Sequence, residues 1–258
     1  MQAYAERKTR VHGARPAFRW LLERYISHRG FHTGDSARPE NSLKAFASAV
    51  AYGYGIELDV RLCADKKAVV FHDPNLKRMT GMDKSVSACT AEELGRVRLL
   101  GSDQKIPLLS EVIRLVKGRV PLLVEIKNDG KQGALEEVVW RELSLYNGNF
   151  AIQSFNPFSL GWFKARAPEV VRGQISCDFR DEELFFLKKL MLRNLFMNWK
   201  SVPHFLSYDV RCLPFWAVRR LRSRGVPVLG WTVRSRDEHL AVRPHVDNII
   251  FESFVPEP

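Results

Sequence analysis

The chain has 258 residues, long for two small domains and suited to one large one; its 45% hydrophobic and 27% charged content excludes a disordered or fibrous protein. Forty lysines and arginines against 29 aspartates and glutamates leave a net charge of +11, a surface that attracts phosphate on nucleic acid, anionic lipid or a small substrate. Cys63, Cys89, Cys177 and Cys212 lie far apart with no CxxC, which argues against a zinc site or a disulfide frame and for free thiols in a reducing, cytoplasmic setting.

In chain order, residues 1–24 form a basic N-terminal extension with six lysines and arginines and no secretory apolar core, and 16–24 (PAFRWLLER) predicts a short amphipathic helix. A rhythm then begins. Apolar, strand-like runs occur at 25–27, 56–62, 122–126, 150–153, 170–175, 205–208, 226–233 and 248–251. Stretches of helical period occur at 42–52, 132–145, 157–165, 181–199 and 214–224. The alternation predicts a parallel sheet with helices outside. Eight such strands close a (β/α)8 TIM barrel, which takes about 250 residues, so residues 25–258 read as one barrel domain.

An extra apolar run at 68–72 follows the second strand after only about six residues, too few for a parallel crossover. It predicts an antiparallel hairpin partner that sets His72 beside Glu57 and Asp59. Residues 73–107 are polar and turn-rich, a small insertion after the second and third strand region, and Thr90 with Glu93 has capping-box spacing for a short helix. The chain holds no apolar run of about 18 residues that could span a membrane.

Several residues fall where a barrel does chemistry, at the C-terminal ends of strands. His28, Arg29 and Gly30 follow the first strand. Asn41 or Ser42 reads as the N-cap of the next helix. Glu57 and Asp59, two apart on the second strand, point to one face. Two carboxylates on an apolar strand need a cation: a divalent metal with oxygen ligands, or a salt bridge to Arg61 or a lysine. Glu125 adds a third carboxylate on another apolar strand, with Lys127 on the same face, which favours the metal. His72 ends the hairpin run, and Asp73 either orients its ring or caps the loop. Phosphodiester cleavage needs a base for the nucleophile and an acid for the leaving alkoxide, roles suited to His28 and His72. Arg29 and Lys127 supply positive charge for the phosphorane.

The motifs HRG, PENS, ELD, VVFHD, VEIK and GWTV, in this order and spacing, resemble the glycerophosphodiester phosphodiesterase family from about residue 25 to the end. DPNLKRMT and IPLLSEV resemble that family's small insertion and its exit. The resemblance implies a barrel that hydrolyses glycerophosphodiesters to glycerol phosphate and an alcohol, with one bound divalent cation, Mg2+ or Ca2+. It implies Glu57, Asp59 and Glu125 as metal ligands and His28 and His72 as the acid–base pair. Arg29 and Lys127 become phosphate contacts, and Trp231 lines the glycerol side. A cyclic phosphate intermediate is left open. At the C-terminus IIFES departs from the family's strand ending of Thr-Asp type, with Glu252 standing near that Asp.

Residues 182–200 (EELFFLKKLMLRNLFMNWK) are basic and strongly apolar. The period predicts one long outer helix with Leu184, Leu187, Met191 and Leu195 packed on the barrel; the other reading is an interfacial helix in peripheral contact with anionic lipid. Rival functions are a lysophospholipase D-like activity, which needs a wider apolar mouth, and a non-enzymatic anion-binding barrel, which has no use for five ionisable residues at strand ends. A nucleic-acid binder is disfavoured, because the basic residues are dispersed and no recognised binding motif occurs.

Overall fold

Residues 16–128, 131–180 and 182–256 are described by the computed structural model; the basic stretch 1–15 and Asp181 lie outside the described residues. Pro16–Leu22 is a 3-10 helix with a kink at Phe18, not the regular amphipathic helix expected. The strands are β1 (Ile26–Ser27), β2 (Gly55–Leu62), β3 (Ala68–Val70), β4 (Leu122–Ile126), β5 (Phe150–Ser154), β6 (Val171–Ser176), β7 (Phe205–Asp209), β8 (Val228–Val233) and β9 (Asn248–Phe251). All except β3 run parallel in the order β1-β9-β8-β7-β6-β5-β4-β2, and the pairing of β1 with β2 closes the eight-stranded ring. The fold is a (β/α)8 TIM barrel, as the alternation predicts.

The outer layer begins with α1 (Leu43–Tyr52), continues through the short α2 (Lys77–Thr80) and α3 (Ala91–Leu94), then α4 (Leu109–Val116), α5 (Ala134–Leu143) and α6 (Pro157–Arg166). It ends with α7 (Phe186–Arg193), α8 (Asn198–Ser201), α9 (Trp216–Arg222) and α10 (Arg236–Val242). No helix among the described residues is long and apolar enough to cross a membrane. Helices α4 and α10 fall outside the stretches whose period predicts helix, although α4 buries a clear apolar face of Leu109, Val112 and Val116. Of the two N-cap candidates, Ser42 caps α1, its Oγ accepting from Ala45 N at 3.1 Å.

Period 2 along each strand sorts the barrel interior into a floor and a site. Ile26, Leu123, Ala151, Val171, Phe205, Leu229 and Ile250 meet Phe18, Leu21 and Leu22 of the 3-10 helix in one buried cluster. The helix therefore plugs the N-terminal end of the barrel, and Asn248 Nδ2 ties it there by donating to the carbonyls of Leu21 (2.8 Å) and Arg24 (2.6 Å). Phe205 fills the middle of this floor against Gly173, where any Cβ would lie 2.1 Å from the ring. Two residues further along the same strands, toward their C-terminal ends, come His28, Glu125, Gln153, Ser207, Trp231 and Glu252. The apolar layer is the foundation on which the polar one stands. Outward-facing Ile56, Leu58, Val60, Leu122 and Val124 pack under the helices that follow β1 to β5.

The hairpin forms as expected. β3 pairs antiparallel with β2 (Val60 with Val70, Leu62 with Ala68), and Phe71 N extends the ladder to Asp59 O at 3.0 Å. Beyond it, residues 74–107 fold back over β3, with Leu76, Met79, Val86, Leu94 and Leu99 packed on Cys63, Val69 and Phe71. Thr90 and Glu93 close the capping box that the spacing predicts.

The long outer helix over 181–199 does not form. The segment is two short helices, α7 and α8, broken where Leu195 turns to φ +61°. Leu187, expected against the barrel, is 56% exposed, and no residue of α7 is buried. The reason is placement. Ser176 Oγ at the end of β6 donates to Leu192 O (3.0 Å), and Tyr208 Oη near the end of β7 donates to Arg193 O (3.2 Å). These bonds, with the buried Leu195, hold α7 by its C-terminal carbonyls on the rim of the barrel instead of along its side.

Candidate active site

The turn after β1 is built by two left-handed positions, Arg29 (φ +53°) and Gly30 (φ +80°). A Cβ at Gly30 would sit 2.9 Å from the Phe46 ring, so the turn requires glycine both for its φ and for the close approach of α1. The turn aims Arg29 inward: its N–H donates to Glu57 Oε2 (2.9 Å), and its Nε lies 3.4 Å from Asp59 Oδ2. Asn41, left over from capping, donates from Nδ2 to Asp59 Oδ2 at 2.9 Å.

Glu57, Asp59 and Glu125 come together, as their spacing and strand ends predict. One oxygen from each lies within 4.8 Å of the others, and all three side chains are buried. Both expected sources of neutralisation are relevant here. Lys127 Nζ reaches Glu125 Oε1 (2.6 Å) and Asp59 Oδ1 (3.3 Å), while Arg61 donates from Nε to the His72 carbonyl (2.8 Å). Fully ionised, three carboxylates against Arg29 and Lys127 leave one negative charge in excess. Glu57 Oε1 is buried with no hydrogen-bond donor, and Asp59 Oδ1 has only its ion contact with Lys127. A buried, underdonated oxygen set with excess negative charge fits a hard divalent cation.

The charges in this pit are unequal. Burial pushes Glu57 well above the usual carboxylate range, and repulsion from Asp59 and Glu125 adds to it. Burial also raises Glu125, against the pull of Lys127. Asp59 is equally buried, yet Lys127 and Arg29 outweigh that and hold it below its ordinary value. Lys127, despite burial, is pushed up to about 12 by Glu125 and Asp59 and stays charged.

Both histidines lie close enough to Asp59 for its charge and theirs, when protonated, to interact. Each ring is held through Nδ1: His28 by Glu252 Oε2 at 2.5 Å, His72 by Asp73 Oδ1 at 2.6 Å. Asp73 thus orients the ring. Glu252, whose role the sequence leaves open, also lies 3.6 Å from His32 Nε2 and 2.8 Å from Arg234 Nε. Burial lowers His28 to about 4, against the hydrogen bond that its Nδ1–H donates to Glu252, so the ring is neutral near pH 7. Trp231 stands edge-on to Phe155 (5.6 Å), and Lys127 Nζ lies 5.9 Å from the Phe155 ring. The indole Nε1 of Trp231 is buried without a hydrogen-bond partner.

Three supporting residues escape the sequence. Arg29 Nη1 bonds Glu40 Oε1 (2.8 Å), Glu40 bonds Arg78 Nη2 (2.7 Å), and Arg78 Nε bonds Asp73 Oδ2 (2.5 Å). A chain of ion pairs therefore runs from Asp59 through Arg29, Glu40 and Arg78 to Asp73 and His72. Glu40 lies in PENS and Arg78 in DPNLKRMT, so the motifs held the signal although the roles did not show. Asn41 had a simpler explanation as a cap, which hid its contact with Asp59.

A barrel whose strand ends gather paired histidines, cation-neutralised carboxylates and fixed positive charge has the layout of a barrel phosphodiesterase, and that is the class this fold and site define. Residues 28–254 match the Glycerophosphoryl diester phosphodiesterase family, and the chain belongs to it, as a phosphoric diester hydrolase. A glycerophosphodiester phosphodiesterase of Caldanaerobacter subterraneus is 30% identical over 239 residues, which cover 85% of this chain and 91% of the relative. The crystal structure of a glycerophosphodiester phosphodiesterase from Thermotoga maritima is similar with a TM-score of 0.69 and 27% identity, covering 88% of this chain and 93% of that one. A phosphodiesterase from Oleispira antarctica, solved with the product sn-glycerol-3-phosphate, has a TM-score of 0.76, covering 92% of this chain and 95% of that one. At 24% identity it bears on the fold alone.

Proposed function

We propose that the chain hydrolyses glycerophosphodiesters to glycerol 3-phosphate and an alcohol, with His28 and His72 as the acid–base pair and Glu57, Asp59 and Glu125 holding one divalent cation, Mg2+ or Ca2+. The observation that carries this reading is the matched tethering of the two rings. Each Nδ1 is bound by a carboxylate, which leaves both Nε2 atoms to exchange protons with substrate. When bound, the cation supplies charge that polarises a phosphoryl oxygen. Arg29 and Lys127 neutralise the phosphate and the phosphorane that develops from it. One histidine takes the proton of the attacking water, or of the glycerol 2-hydroxyl in a route through a cyclic phosphate that water then opens, as the oxygen bonds to phosphorus. The other gives a proton to the leaving alkoxide as its bond to phosphorus breaks. The unpaired indole N–H of Trp231 offers a donor to the glycerol side.

Release of glycerol phosphate from glycerophosphocholine, with and without EDTA, tests the cation. Activity should vanish with the chelator and return with Mg2+ or Ca2+; undiminished turnover after exhaustive chelation would remove it. His28→Ala and His72→Ala should each lower kcat by about 100-fold or more with the fold intact, and a near-normal kcat would take that histidine out of the mechanism.

A further inference from the structure

The rim of the barrel above β5, β6 and β7 carries the largest apolar side chains that the fold leaves in solvent. Phe185, Phe186 and Trp199 are 77%, 74% and 66% exposed. The helix after β5 adds Phe158 and the helix after β7 adds Trp216, both exposed. The three crossovers meet. Lys200 Nζ lies 5.8 Å from the Phe158 ring and 5.9 Å from the Trp199 ring, and the Arg193 guanidinium lies 5.1 Å from Phe215, which precedes Trp216. Single exposed hydrophobic residues are ordinary, but several large aromatic side chains exposed on three adjoining crossovers mark a surface that meets something.

Charge says what. From residue 184 to residue 208 the chain has no aspartate or glutamate, while Lys188, Lys189, Arg193 and Lys200 stand among the aromatic rings. Glu182 and Glu183 stand just before this stretch, and its four cations outnumber them. Bulky apolar side chains with such cations among them suit the headgroup and upper acyl region of an anionic bilayer, where the rings bury and the lysines meet lipid phosphate. The rim also lies at the reactive end. α7 hangs from the last turns of β6 and β7, and the buried Phe179 just before it packs on Phe155 (6.0 Å), which packs on Trp231 at the site. Phe155 and Phe179 thus carry aromatic packing from Trp231 to the start of the crossover that bears Phe185 and Phe186.

We propose that this rim is a docking surface for anionic lipid bilayers, and that it seats the barrel with its mouth toward the membrane. The surface carries the inference independently of the reaction, so docking is measured without turnover. The full chain is floated with vesicles of phosphatidylglycerol mixed with phosphatidylcholine and with vesicles of phosphatidylcholine alone. It should float with the first and not the second, and less as salt rises. A Phe185→Ser, Phe186→Ser, Trp199→Ser variant should lose about tenfold or more in vesicle affinity while keeping its Tm and its turnover of a soluble diester. Lys188→Glu with Lys189→Glu should lose about tenfold or more as well. Absence of wild-type flotation, equal flotation with both vesicles, or undiminished flotation of the variants would overturn the proposal. So would a dimer in sedimentation that the serine variant dissolves, because the rim would then belong to a second copy of the chain.

Discussion

Asp59, Glu57 and Glu125 share one pit but not one charge state, because only Asp59 is met from two sides by Lys127 and Arg29. Glu57 and Glu125, raised by burial and by the neighbouring Asp59, keep their protons to higher pH than an ordinary carboxyl. A cation binds the carboxylate form, so over the window between the ordinary and the raised value it must displace protons. Cation affinity should therefore rise with pH there, by about tenfold per pH unit for each proton displaced. Calorimetry of Mg2+ binding in buffers of different ionisation enthalpy should show proton release; affinity that ignores pH would contradict the raised values. Arg78 acts at the same scale but from further off, because it touches Asp73 and Glu40 and not the pit itself. Arg78→Gln should lower kcat by about 10- to 100-fold, as loss of a supporting partner does, and Arg78→Lys should restore part of it. Its stability should change by less than about 1 kcal/mol, since the side chain is half exposed. A lower Tm with unchanged kcat would make Arg78 merely structural.

Among the elements, the hairpin of β2 and β3 and the box at Thr90 were readable because connection length and cap chemistry are local. The segment 182–200 was not. Its apolar positions carry a helical period, but a period says only that one side is apolar and not what lies beneath it. The bonds from Ser176 and Tyr208 place α7 over strand ends, where no sheet face is available to cover Leu187. Leu187→Ala should accordingly shift stability by no more than about 0.5 kcal/mol. Leu195→Ala, at the buried break, should cost about 2–5 kcal/mol. Chemical denaturation of the two variants checks the contrast, and a large loss at Leu187 would restore the packed helix.

At the scale of the whole molecule, the site stands on the floor beneath it. Leu21, 1% exposed, closes the barrel from below, and Leu21→Ala should cost about 2–5 kcal/mol in a denaturant melt. A neutral result would mean that the plug is not part of the cooperative core. The barrel itself was legible in the order of apolar runs, because a parallel strand buried on both faces must be apolar and must be followed by a crossover. His28, Glu57, Asp59, His72 and Glu125 were legible for the opposite reason: ionisable groups at the ends of such strands stand out against their surroundings. Only the closed ring decided the rest. Glu252 meets His28 because β9 lies beside β1, 224 residues away in sequence. Arg78 reaches the site because its insertion folds back over β3, and the aromatic rim exists because three crossovers end on the same side. Such contacts depend on which strands become neighbours and how far each helix travels, and no local pattern of residues encodes that distance.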